Sequence, residues 1–304
     1  MSRCTAFGPA TLSNLGPGFD ALGLCITGPG DRVTATRRET PGVTVEAPGL
    51  PADPDANTAG RAARHVLQQA GASGGLALVV EKGIPLGSGV GGSAASAVAG
   101  AWAANGALGW PFDKAELVEA VLAGEAATGA RHGDNVLPAL LGGLVLVSAA
   151  DPADHRAVAL EGAPPLAVVL PEVTVLTHDA RAVLPSTVPH GVASAQAAEL
   201  ALLLHALLAG DWHAAGRHMM ADRLAEPYRA PAVPVYDAVR RAALGAGAAG
   251  CALSGSGPAL VAVCPDADAG AVLQAMTAAC ARAGVGVQAW LAEVDAVGVR
   301  EVSP

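Results

Sequence analysis

The chain is short of charge, of lysine and of aromatic rings, and each shortage removes a class of function. Lysine occurs only at Lys82 and Lys114 in 304 residues, and 27 acidic against 18 basic side chains give a formal net charge of -9. No basic tract and no run of interleaved aromatics is present. Such a chain repels phosphate backbones and anionic lipid, so no nucleic-acid and no membrane partner is expected. A binder of an anionic nucleotide must gather its few cations at one place. The five cysteines (Cys4, Cys25, Cys251, Cys264, Cys280) include no CxxC pair, which indicates neither a zinc site nor a disulfide framework. Reduced, mostly buried thiols in a cytoplasmic protein are expected. Met1-Ser2-Arg3-Cys4 leads into an apparent strand and carries no signal-peptide pattern.

Apolar residues are plentiful at 52%, a balance that excludes a disordered chain. From Gly83 to Phe112 no residue is charged, a stretch long enough to span a bilayer. It holds Pro85, many glycines, several serines and Asn105, and its apolar content is mostly alanine, a weak membrane former. A buried loop followed by a buried helix is expected there. Length suggests two domains of ordinary size.

Strand patterns are expected at 4–9, 43–47, 76–81, 143–148, 166–170, 173–176, 251–253, 260–264 and 285–291. Helices are expected at 57–69, with Asn57 or Thr58 as N-cap, and at 93–104, 114–128, 194–208, 212–220, 235–244 and 267–283. Helices and strands mix without strict alternation, which points to an α+β class. The polar stretch at Asp151 is the expected border, dividing the chain into 1–152 and 153–304.

The strand at 76–81 runs into Lys82-Gly83-Ile84-Pro85-Leu86-Gly87-Ser88-Gly89-Val90-Gly91-Gly92-Ser93-Ala94-Ala95-Ser96. Glycines let the backbone turn tightly and aim several N–H groups at one anion. A helix starting near Ser93 adds unsatisfied N–H groups and a positive dipole end. Ser93 stands where a hydroxyl could meet a metal bridging phosphates. No Lys-Ser or Lys-Thr pair closes the loop, so it is not a Walker A sequence. A plain glycine-rich surface loop is the bland alternative.

The run from Pro85 to Ser96 resembles the glycine-serine signature of the GHMP kinases. Pro9-Ala10-Thr11-Leu12-Ser13-Asn14-Leu15-Gly16-Pro17-Gly18-Phe19-Asp20 is similar to the N-terminal motif of that superfamily. Gly250-Cys251-Ala252-Leu253-Ser254-Gly255-Ser256-Gly257-Pro258 is similar to its C-terminal glycine motif. Arg131 to Val136, Ala180 to Pro185 and Ala225 to Arg229 resemble segments of its homoserine-kinase branch. The resemblance spans essentially the whole chain. It implies a two-domain α+β fold, the first domain like the second domain of ribosomal protein S5 and the second ferredoxin-like, with the nucleotide between them.

The resemblance implies ATP and Mg2+ as cofactors and L-homoserine as the small-molecule substrate, phosphorylated on its side-chain hydroxyl for threonine synthesis. Asn57, Lys82, Pro85, Gly87, Ser88, Gly89, Val90, Gly91, Gly92, Ser93, Ala94 and Ser96 are the implied nucleotide contacts, although Asn57 could equally just cap its helix. Ser93 and Glu125 are the implied metal pair. Asn14, Asp20, His132, Asn135, Thr177, Arg181 and Arg229 are the implied substrate contacts. Arg181 and Arg229 suit a planar carboxylate, and Asp20 suits the ammonium. Asn135 and Asp20 are the candidate catalytic residues, with no general base assigned. Gly92 stands where the family has the first of two serines. A homodimer follows only from family habit. Another small alcohol as acceptor, or a catalytically silent nucleotide-binding protein, are the alternatives.

Overall fold

A computed structural model describes residues 2–129 and 131–303, with the side chain of Thr177 outside that description. The first half begins with two long antiparallel strands, β1 (Arg3–Ser13) and β2 (Leu22–Arg38), whose register shifts between Pro9 and Thr11. Next come β3 (Gly42–Glu46), α1 (Thr58–Gln69), β4 (Gly75–Glu81), α2 (Gly92–Ala107), α3 (Val118–Glu125) and α4 (Gly133–Leu141). A hairpin of β5 (Leu144–Val147) and β6 (His155–Val158) adds to β2.

The alanine and glycine content explains how α2 fits. It lies against β1 and β2, flanked by α1, α3 and α4. A Cβ at Gly8 would overlap the carbonyl of Ala95, and one at Gly100 would meet Ala59 of α1. Small residues therefore let the backbones approach closely while still excluding water. The expected uncharged loop and buried helix are both observed, with Asn105 sealed inside and bonded twice to the backbone of Phe112.

In the second half, β7 (Leu166–Pro171) is followed by α5 (Thr177–Ala182), α6 (His190–Ala209), α7 (Trp212–Met219), α8 (Glu226–Arg229) and α9 (Tyr236–Gly245). Then come β8 (Gly250–Leu253), β9 (Leu260–Val263), α10 (Ala269–Arg282) and β10 (Val287–Ala292). The antiparallel order β10-β7-β9-β8 is, counted within this half, fourth-first-third-second, the ferredoxin-like arrangement. One core lies between this sheet and α9 and α10. Another joins the halves, with Leu12, Leu24 and Ile84 from the first and Val168, Leu203 and Val261 from the second.

Several expectations are corrected. The border expected at 152–153 falls inside the β5–β6 hairpin, and β11 (Arg300–Glu301) returns to pair with β1. The sheets change over between Val158 and Leu166, so the first unit reclaims the C-terminal end. The strand expected at 173–176 is irregular backbone. Strand β2 was not expected, because Gly28-Pro29-Gly30 reads as a turn. The chain instead continues as strand through it with an irregular register, Gly28 taking a φ of 126°, and a Cβ at Gly30 would overlap the Phe7 ring. The α6 helix is long and apolar enough to cross a bilayer by length and composition. It is nonetheless tied into this half: Leu203 and Leu207 enter the shared core, and Gln196 bonds Pro17 and Asp222.

Candidate active site

A cavity of about 640 Å³ lies between the halves. The glycine loop, the turn after β1, the entries to α1 and α4, and α5 and α8 surround it.

The base of the loop is built on Asp31, a β2 residue with no exposed surface. Its Oδ1 accepts from the backbone N–H of Gly83 (3.0 Å) and of Ile84 (3.1 Å). Its Oδ2 accepts from the Ser96 hydroxyl (2.6 Å) and pairs with the Lys82 ammonium. Lys82 also donates to the Gly92 carbonyl (2.8 Å) and to Ser96 Oγ (3.2 Å). These bonds clamp both ends of the loop, the exit of β4 and the first turn of α2.

Between the clamped ends the carbonyls are turned away from the cavity. Ser88 O accepts from Ala259 N, Gly89 O from the Ser254 hydroxyl (2.7 Å) and Val90 O from Thr11 N. With the carbonyls engaged behind the loop, the N–H groups are what it can offer an anion. Gly89 and Gly91 both have left-handed φ, of 75° and 71°. A Cβ at Gly89 would also lie 2.6 Å from Gly257 O and 2.7 Å from Ser254 O, so only glycine serves there. Gly91 is the N-cap of α2 and makes no side-chain cap, so the helix end is open to a ligand.

Ser93 and Glu125 form one unit, as expected. The hydroxyl donates to Glu125 Oε1 at 3.1 Å. Oε2 is buried without a hydrogen-bond partner. Burial pushes the carboxyl up to about 7, the serine bond opposes this, and the Asp134 charge adds to it. An orphaned buried carboxylate oxygen beside a hydroxyl fits one hard divalent cation whose other ligands are phosphate oxygens and water. Among the described residues no cluster of three metal-ligating side chains exists, so the protein alone would not cage a metal.

Charged residues line the same cavity. Arg181 meets Asp20 through two parallel bonds of 3.0 and 2.9 Å. Arg229 is buried at 4% exposure, donating from Nε to Ala180 O (3.1 Å) and from Nη1 to Gly255 O (2.9 Å). Asp20 has a φ of 56° and is seated by its own N–H on Asn14 Oδ1 (3.3 Å). Asn135 Oδ1 accepts from the Thr11 hydroxyl (2.8 Å), so its amide nitrogen is the end left for a ligand. His132 lines the cavity with a buried, unpartnered Nε2. Burial lowers its pKa, keeping the imidazole neutral near pH 7, against the opposing pull of Asp20. Buried Asp134 is pushed up to about 7 by desolvation first and by the Asp20 charge second.

The structure therefore unites Asn14, Asp20, His132, Asn135, Arg181 and Arg229 with the loop residues on one cavity wall. Thr177 heads α5, and its side chain lies outside the described residues. Five expected nucleotide contacts also have structural roles. Lys82 has all three ammonium donors engaged inside the chain, and the Ser96 hydroxyl is held by Asp31, so both brace the loop. Val90 and Ala94 point their side chains into the cores, leaving only backbone for a ligand. Asn57 caps α1 through Gly60 N and donates to Pro51 O. Asp20 and Arg181, expected to meet opposite ends of a ligand, are bonded to each other. Asp31 braces the loop and Asp134 lines the cavity, yet neither was assigned to the site. Asp31 follows Gly-Pro-Gly, where an aspartate reads as turn chemistry.

Comparison with known proteins agrees with this geometry. The family model "GHMP kinases N terminal domain" matches residues 57–143, and "GHMP kinases C terminal" matches residues 203–282. A homoserine kinase of Pyrococcus abyssi is 40% identical over 84% of this chain and 86% of its own length. One of Chlorobaculum tepidum is 36% identical over 100% of this chain and 99% of its own. The crystal structure of a homoserine kinase from Cytophaga hutchinsonii superposes with a TM-score of 0.95 at 35% identity, covering 99% of this chain and 98% of that one. The crystal structure of L. major mevalonate kinase in complex with R-mevalonate shares the fold at TM-score 0.72 and 20% identity over 95% of each chain.

Replacing Asp31 by Asn should leave a mostly buried ammonium without its counter-charge, at a cost of about 3 kcal/mol in urea unfolding. The D31N/K82M double variant should recover part of that loss, since it removes both charges. A double variant no more stable than D31N alone would refute the charge-pair account.

Proposed function

The chain belongs to the homoserine kinases of the GHMP kinase superfamily, and from that premise we propose that it transfers the γ-phosphoryl group of ATP to the side-chain hydroxyl of L-homoserine, giving O-phospho-L-homoserine for threonine synthesis. The observation that carries this reading is a single cavity lined both by the glycine loop and by the Asp20, Arg181 and Arg229 charges.

Catalysis in this reading is mainly positioning and charge neutralisation. The loop and the open end of α2 receive the nucleotide phosphates. Ser93 and Glu125 would hold Mg2+, which when bound neutralises phosphate charge. Homoserine is a zwitterion, so it can replace the Asp20–Arg181 pair by two new pairs without leaving a charge unmatched. Its ammonium goes to Asp20, and its carboxylate goes to Arg181 and Arg229. Asn135 turns its amide nitrogen to the hydroxyl, and neutral His132 adds a hydrogen bond. Asp20 is committed to charge pairing, so it serves in orientation, and no general base is assigned. The chain is proposed to work in the cytoplasm as a homodimer, which sedimentation as a monomer at assay concentrations would exclude.

A coupled ADP-release assay with homoserine, mevalonate, galactose and shikimate tests the assignment. Turnover of homoserine alone is expected. Turnover of mevalonate alone would replace the acceptor, and turnover of none would favour a silent nucleotide-binding protein.

Glu125 gives a second test. With its pKa raised to about 7, it is protonated below that pH and can ligate a cation only above it. Activity should fall as pH drops through about 7, and the fall should move to lower pH as Mg2+ is raised, because metal and proton compete for one carboxylate. Without metal the sign for stability is opposite. The fold binds this proton more tightly than the unfolded chain, so stability is lost as pH rises from the ordinary glutamate range through about 7. Glu125→Gln should therefore cut kcat/KM at least about a hundredfold and reduce the drop in Tm between about pH 5 and about pH 8. An acid limb indifferent to Mg2+ would remove Glu125 from the metal site.

A further inference from the structure

Arg229 is in an unusual position for a buried cation. Its hydrogen bonds go to two neutral carbonyls, Ala180 O and Gly255 O. Among the described residues it makes no ion pair, whereas Arg181 has Asp20. Burial lowers its pKa, and the neighbouring Arg181 charge lowers it further. Two guanidinium groups are thus held close together, at the ends of α5 and α8, with that of Arg229 shut away from water. Carbonyl dipoles supply part of the compensation. The charges of Asp20, Asp134 and Asp222 supply more, and a ring adds to them.

Phe19 supplies it. The guanidinium carbon of Arg229 lies 5.1 Å from the ring centroid, and that of Arg181 lies 5.4 Å from it. Both are inside the distance at which an aromatic quadrupole attracts a cation. The ring comes from the turn after β1, in the first half of the molecule, whereas both arginines come from the second half. One side chain therefore fixes the spacing of two cations across the cleft. The next residue, Asp20, is the carboxylate that Arg181 takes. Phe19 is only part-buried, so its volume is a small share of either core.

We propose that Phe19 is a positioning residue for acceptor specificity: its ring offsets the repulsion between Arg181 and Arg229 and holds them at the spacing that grips a carboxylate. The inference rests on the homoserine reading above. It places no chemistry on Phe19 itself, which acts through the two guanidinium groups.

The test compares homoserine with 3-aminopropan-1-ol, which has the same hydroxyl and ammonium and lacks the carboxylate. In Phe19→Leu, an apolar side chain remains and the quadrupole is lost. KM for homoserine should rise about tenfold, the loss of one to two cation–π contacts. The kcat and the KM for magnesium-ATP should stay within about twofold, and kcat/KM for 3-aminopropan-1-ol should barely change. The preference for homoserine should therefore fall about tenfold. Phe19→Tyr, which keeps a π face, should restore it. Fluorinated phenylalanines placed at position 19 keep the shape and weaken the quadrupole stepwise, so KM for homoserine should climb with each added fluorine. That series decides the matter if the leucine variant folds poorly or the amino alcohol turns over too slowly. An unchanged preference in Phe19→Leu, or a KM indifferent to fluorination, would overturn the inference while leaving the kinase assignment standing. Absence of homoserine turnover in the parent protein would overturn both.

Discussion

Asp31 is sealed from solvent, and the bonds it makes decide where everything else in the cavity can stand. Its two oxygens hold the exit of β4, the ammonium of Lys82 and the first turn of α2. A buried carboxylate survives only if its charge is met and its lone pairs are filled, and here both conditions hold. The glycine loop is flexible by composition, so its shape has to be imposed from its ends. Asp31 imposes it. Ser254 and Ala259 then pull the loop carbonyls backward, which turns a floppy segment into an anion cradle.

The same economy of charge runs through the site. An acidic chain with few lysines spends one of them as a strut and leaves anion recognition to backbone N–H groups and a helix end. Arg181 and Arg229 are proposed to serve the acceptor. Three carboxyls, Glu125, Asp134 and Glu226, are pushed up to about 7 by burial. Two of them face the cavity. The third braces α8: Glu226 accepts from Leu253 N at 3.2 Å and pairs with the Tyr236 hydroxyl, so the short helix carrying Arg229 is anchored to the end of β8. The turn that follows β8 supplies the Gly255 carbonyl to Arg229 and the Ser254 hydroxyl to the loop. Nucleotide and acceptor ends are thereby built on one set of supports.

Much of this was legible beforehand. The glycine run, the helix that follows it and the Ser93–Glu125 pairing were read in their correct places. Local patterns fix such features, because a helix N-terminus after glycines has few other uses. The failures have a common cause. Lys82 and Ser96 were read as nucleotide contacts from their place in the loop motif, yet each is held by Asp31, a partner that sequence proximity does not reveal. Lys82 is 51 residues from Asp31. The domain border failed for a similar reason, since the hairpin of β5 and β6 and the return of β11 are pairings between distant segments.

By itself the sequence determined the class of chemistry: a glycine run ahead of a helix points to anion binding, the mixed elements point to an α+β fold, and three motifs in order resemble one superfamily. Local propensity and periodicity are properties of neighbours in the chain, so they survive without coordinates. Only the tertiary structure decided which polar groups remain available to a ligand. Hydrogen bonds and charges are paired across long separations, and a ligand must either find an unpartnered group or replace a pair the fold already makes. That accounting makes Lys82 a brace of the loop, leaves Glu125 with an unpartnered oxygen, and sets Arg229 on neutral carbonyls beside the Phe19 ring.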